Sequence, residues 1–233
     1  MVVLTDRPAI DLAYARPQRP RLAAFADILT TSPELQTAYD GVLAAVSASP
    51  ALSAGKSVLV TCAQRSKNRS PVAPMLAVTA ALAGRKILLI DGNMRDPWLA
   101  AAAGLNDSVG LTEILDVSAE PTEAVHRIPL FPNARDSLVV NGVTAGRRPG
   151  SLLSAEIQQA RARLQMLAEP YDLALIDAPP LLASCETAQL ARLSDGALLV
   201  VEADITGRAE VSKAKSHLDQ LGARFVGAVL DRG

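Results

Sequence analysis

Short apolar runs and longer stretches of helical periodicity alternate along most of this chain. The runs at 56–62, 86–91, 171–177, 196–202 and 224–230 are rich in Val, Ile and Leu, and each predicts a strand. The run at 196–202 has no polar alternation, which predicts burial on both faces. Helices are predicted between the runs. One covers 33–46 and opens on Ser32, Pro33 and Glu34: a cap residue, a first-turn proline and an acid. A second covers 71–83 and is built of small residues. A third covers 151–167, with Leu153, Ile157, Ala160, Leu164 and Leu167 on one face. Two more cover 183–193 and 207–221. Shorter helical pieces are predicted at 22–29, 96–103, 110–115 and 121–127. A short strand is predicted at 137–140 and a Gly- and Arg-rich loop at 141–150. This alternation predicts a doubly wound α/β domain, a mainly parallel sheet flanked by helices. Pro8, Pro17 and Pro20, interspersed with Arg16, Arg19 and Arg21, predict an irregular N-terminal arm over 1–31, leaving a single domain over 32–233.

Composition narrows the picture. The 233 residues are 49% hydrophobic but only 3% aromatic, which suits one core of Ala, Leu and Val. A net charge of −1 supplies no basic field for nucleic acid. Cys62 and Cys185 fall near predicted strand ends, where they could be neighbours; reduced thiols are expected rather than a disulfide framework. The first residues include Asp6, Arg7 and Asp11 and lack the apolar core of a signal peptide. No apolar run has the length of a bilayer span. The expected location is the cytoplasm, with recruitment to the inner face of the membrane only through a partner.

The candidate chemistry lies in residues 58–97, a strand–loop–helix–strand unit. Loops in that position cradle phosphates when they read G-x-x-x-x-G-K-[ST]. Here the window is Ala63, Gln64, Arg65, Ser66, Lys67, Asn68, Arg69 and Ser70. Only the closing hydroxyl is standard. Asn68 stands where the second glycine belongs, and Asn is the residue that next best tolerates positive φ. Arg69 stands for the lysine, a bulkier planar cation in place of a compact one. Arg65, Lys67, Asn68, Arg69 and Ser70 are therefore the candidate nucleotide- or anion-binding residues, at a helix N-terminus that favours negative charge.

Taken together, ILLIDGNMRDP (87–97), YDLALIDAPP (171–180), GLTEIL (110–115) and GARFVGAVLDR (222–232) resemble the bacterial tyrosine kinases of exopolysaccharide and capsule biosynthesis. These are P-loop proteins related to partitioning and division-site ATPases. The resemblance spans roughly residues 32–233. It implies that Asp91 and Asp177 descend from the acids that hold Mg-ATP, with Ser70 a third metal ligand wherever Mg-ATP binds. An acid at a strand end also has a plainer use, capping the loop that follows. The resemblance further implies a partner: a membrane polysaccharide co-polymerase, or chain-length protein, whose cytoplasmic tail docks beside the nucleotide site. It also raises homo-oligomerisation.

The chain departs from the family pattern at several points. The loop lacks its lysine and glycines, Asn93 replaces the second acid of its motif, and Asp231 stands where an Asn often helps hold the base. Residues 33–46 lack the acid–arginine–arginine motif of ring assembly. No tyrosine-rich stretch follows the last predicted strand before Gly233; the tyrosines are Tyr14, Tyr39 and Tyr171. The reading these departures favour is a pseudokinase that needs no cofactor and acts by binding. The alternatives are an active tyrosine kinase or ATPase using ATP and Mg²⁺ through an atypical loop, and an ATPase switch of the partitioning type.

Overall fold

The computed structural model describes residues 2–3, 22–53, 55–64, 71–105, 109–131, 138–147 and 156–232. The apolar runs become strands of one sheet: β1 (Val2–Val3), β2 (Ser57–Cys62), β3 (Ile87–Asp91), β4 (His126–Pro129), β5 (Val139–Val143), β6 (Leu173–Asp177), β7 (Gly196–Glu202) and β8 (Phe225–Asp231). Among the described residues the strand order is β1-β8-β7-β2-β6-β3-β5-β4. Every pairing is parallel except that of β4 with β5. The helices are α1 (Leu22–Thr31), α2 (Pro33–Ser47), α3 (Val72–Leu82), α4 (Leu99–Ala103), α5 (Leu111–Leu115), α6 (Ile157–Ala168), α7 (Cys185–Leu193) and α8 (Arg208–Gln220).

Alternation along the central strands feeds two cores. Val58, Val60, Ile87, Leu89, Leu173 and Leu175 face α1, α2 and α3, while Leu59, Leu88, Ile90, Ala174 and Ile176 face α5, α6, α7 and α8. Both faces are covered, so β3 and β6 are buried end to end. The small residues of α3 have a matching cause. Every residue from Val72 to Ala81 is buried, because α1 and α2 lie over it while the sheet lies beneath.

Several expectations change. Leu22, Phe25, Ala26 and Leu29 of α1 are buried in the first core, so packed structure already includes residues 22–31 of the expected arm. Residues 4–21 lie outside the described set. The helical piece expected at 121–127 is a 3-10 turn only over Pro121–Ala124; His126–Pro129 is edge strand β4. The expected strand 137–140 continues through Asn141, Gly142 and Val143 rather than turning into loop. Gly142 is there for close approach: a Cβ would lie 2.5 Å from Cδ1 of Ile128 on β4. Of the expected helix at 151–167, the described part is α6, and 148–155 lie outside the described residues. Cys62 packs on the first core, whereas Cys185 heads α7 on the opposite face of the sheet, so the two thiols are not partners. Tyr39 is fully buried in α2, and burial raises the Tyr171 hydroxyl above its ordinary pKa.

Helix α5 ends in a Schellman turn, with the Ser118 amide donating to Glu113 O (2.9 Å) and the Val117 amide to Ile114 O (3.3 Å). The left-handed position of that turn is Val117, at φ 65°, a conformation that suits glycine and strains a β-branched residue. The residue is 41% exposed, so little burial compensates. Val117→Gly is expected to raise stability by about 1 kcal/mol, measured as a higher urea midpoint at unchanged m-value.

Candidate functional site

Parallel pairing sets the site. Val60 of β2 and Asp91 of β3 both lie opposite Asp177 of β6, so the two acids are side by side at adjacent strand ends. Two further main-chain bonds lock that edge: the Gly92 amide donates to Asp177 O (2.9 Å) and the Ala178 amide to Val60 O (3.0 Å). The loop that starts at Ala63 leaves β2 at the same edge. It is tethered by the Leu182 amide, which donates to Ala63 O at 3.1 Å. It returns at Pro71, immediately before α3. Arg65, Lys67, Asn68, Arg69 and Ser70 lie outside the described residues.

Asp91 is fully buried, and its carboxylate closes the loop between β3 and α4. Oδ1 accepts the Asn93 amide at 3.1 Å; Oδ2 accepts the amides of Trp98 (2.7 Å) and Leu99 (2.9 Å). The last two are otherwise orphan donors at the start of α4. Asp91 thus caps the start of α4 from the end of β3. Asn93 adds a smaller turn by accepting the Asp96 amide at 3.2 Å.

Asp177 is 5% exposed and opens the Ala178-Pro179-Pro180 turn. That turn is held by two buried hydroxyls that donate to Pro179 O, Thr61 from β2 (2.6 Å) and Thr187 from α7 (3.1 Å). Glu113 of the GLTEIL segment brings in the loop after β5. Its carboxylate accepts the Gly110 and Arg147 amides, each at 3.0 Å. Asp231 is buried at the end of β8, opposite Glu202 of β7. His126 is on edge strand β4 and His217 on α8, and neither joins the two acids.

One pair escaped the sequence reading. Arg95, in the loop after β3, donates through Nε (3.0 Å) and Nη2 (2.8 Å) to Oε1 of Glu186 in the first turn of α7. The side chains are 66% and 7% exposed, so an exposed guanidinium is anchored on a buried carboxylate. Oε2 accepts the Ser184 hydroxyl at 2.8 Å. Burial pushes the Glu186 carboxyl up, but bonds from its own amide, Ser184, Arg95 and Cys185 outweigh it and hold the pKa at about 2. The bridge ties together the two segments that follow the acid-bearing strands. Nothing in the spacing could have revealed it, because the partners are 91 residues apart.

No protein-family model matches the chain. Tyrosine-protein kinase YwqD of Bacillus subtilis (strain 168) is 31% identical over 176 residues, covering 76% of this chain and 72% of that protein. The chain belongs to the bacterial tyrosine-protein kinase family. A second relative in that family, the putative tyrosine-protein kinase CapB of Staphylococcus aureus, is 30% identical over 181 residues, covering 76% of this chain and 75% of that protein. The kinase domain of Escherichia coli tyrosine kinase ETK superposes with a TM-score of 0.72 at 19% identity, covering 99% of this chain and 88% of that one. The septum site-determining protein MinD of Pyrococcus horikoshii OT3, solved with Mg-ADP, superposes with a TM-score of 0.61 at 20% identity, covering 76% and 70%. These superpositions show that the chain shares its fold with both proteins.

Two carboxylates at neighbouring strand ends have the donor chemistry that Mg²⁺ takes. Asp91, however, uses three of its roughly four acceptor positions on main-chain amides of this chain. Asp91→Ala should cost about 3 kcal/mol and Asp91→Asn roughly half of that, read from urea unfolding. Glu186 gives a pH signature. Its folded pKa is lowered from an ordinary 4.5, so its stabilisation is complete above that value and is lost as pH falls toward 2. The stability gap between the wild type and Glu186→Gln should be constant above about pH 5 and shrink between 4.5 and 2.

Proposed function

We propose that this chain is a tyrosine-kinase-like module of bacterial exopolysaccharide or capsule assembly that works by binding rather than by phosphoryl transfer. Its partner is a membrane polysaccharide co-polymerase, which would bring it to the inner face of the membrane. No helix among the described residues is long and apolar enough to cross a membrane, so on this reading attachment comes through that partner. The observation that carries the reading is the commitment of Asp91. One of the two acids that would answer for a metal ion is buried, and the Asn93, Trp98 and Leu99 amides take three of its roughly four acceptor positions. The loop lacking both glycines and the lysine points the same way. Phosphoryl transfer depends on positioned charge, and a displaced cation costs orders of magnitude in rate.

A second reading, a kinase using ATP and Mg²⁺ through Arg69 and Ser70, is favoured by the in-register pairing of Asp91 with Asp177. A third, a partitioning-type switch, has only the fold in its favour. Calorimetry of the full chain with Mg-ATP separates them. The binding-module reading expects no heat of binding at millimolar nucleotide, together with co-purification of a co-polymerase from membranes. A saturable titration with turnover to ADP would establish the second reading, and ATP-dependent dimerisation the third.

A further inference from the structure

On the face of the sheet that carries α7 and α8, a cleft of about 620 Å³ lies between the head of α7 and the flank of α8. Its floor includes Leu182 and Ala188, both part-exposed and apolar. Its wall is a polar stripe of α8: Lys213, Ser216, His217 and Gln220 recur at helical spacing along one side of the helix. Among the described residues that line it there is no carboxylate, and the only ordinarily cationic side chain is Lys213.

The acids that could neutralise that wall are engaged elsewhere. Glu186, next to the lining residue Cys185, is turned onto Arg95 and Ser184. Asp219 pairs with Lys215 at 3.1 Å. Glu210, one turn before Lys213, folds back over the start of α8, where a Cβ on Gly207 would lie 2.4 Å from its Oε2. Lys213 has no ion-pair partner among the described residues. For a chain whose basic and acidic residues number 23 and 24, a cleft with a cation and no acid is a local bias rather than a property of the whole surface.

We propose that this cleft is a docking site for an acidic, partly apolar peptide segment of a partner protein. An apolar side chain of the segment would sit on Leu182 and Ala188, and a carboxylate would meet Lys213 beside the hydroxyl and amide donors of Ser216 and Gln220. The size falls within the range of ordinary ligand clefts, about 300–1,000 Å³. The charge of the wall selects the sign of the partner. This rests on the reading that the chain acts by binding, but it needs neither the nucleotide edge nor any particular membrane protein.

The test is fluorescence anisotropy on the full chain, with a short dye-labelled peptide of alternating Glu and Leu and a Lys/Leu peptide of equal length. The expected result is saturable binding of the Glu/Leu peptide only. Lys213→Glu should weaken it about tenfold or more, and Lys86→Glu, outside the cleft, should leave it unchanged. Equal binding of both peptides, equal loss in both variants, or no binding at millimolar peptide would overturn the proposal. So would self-association abolished by Lys213→Glu, because the occupant would then be a second copy. Peptide binding without capture of a co-polymerase would leave the cleft standing while removing the partner named above.

Discussion

The main-chain hydrogen bonds that join β2 to β6 and β6 to β3 leave little freedom in where those strands end. All three run the same way and are buried on both faces, so a slip of register would expose an unpaired ladder and turn each inward side chain to the wrong core. Asp91 and Asp177 are therefore brought together by backbone pairing, before any side-chain chemistry is considered. The loop after β2 and the segments after β3 and β6 emerge at the same edge for the same reason.

What happens at that edge is decided by competition for acceptors. A carboxylate that takes three amides gains charge-assisted hydrogen bonds and closes a loop. The same bonds draw on lone pairs that a metal ion would want. Asp177 and Thr61 act differently: the acid starts a proline turn whose carbonyl is gripped by two hydroxyls. Arg95 and Glu186 then span the segments beyond, one exposed and one buried, so the charge of the site is partly balanced within the chain.

Much of the fold was legible in the sequence because it depends on short-range pattern. Strands with no polar alternation, small residues at 71–83 and acids closing apolar runs are all local signals. The misreadings came where distant neighbours decided. Gly142 looked like a turn residue, but its missing Cβ makes room for Ile128 across the β4–β5 pair. The helix at 22–29 was legible, but the prolines and arginines before it masked that its stripe of Leu22, Phe25 and Leu29 packs into the first core. The position of Asp91 was legible, while its partners were not, since they depend on how residues 92–99 double back. Arg95 and Glu186 meet only because the sheet places their segments together.

Tyr39 carries a consequence of its own. Its ring is sealed between α2 and the rest of the first core with no surface left to solvent. No active site can enclose that hydroxyl while α2 stays on the protein. A phosphate found there would mark a chain modified before it finished folding, or after it came apart, and so would serve as a timestamp of conformational history rather than a signal carried by the native molecule.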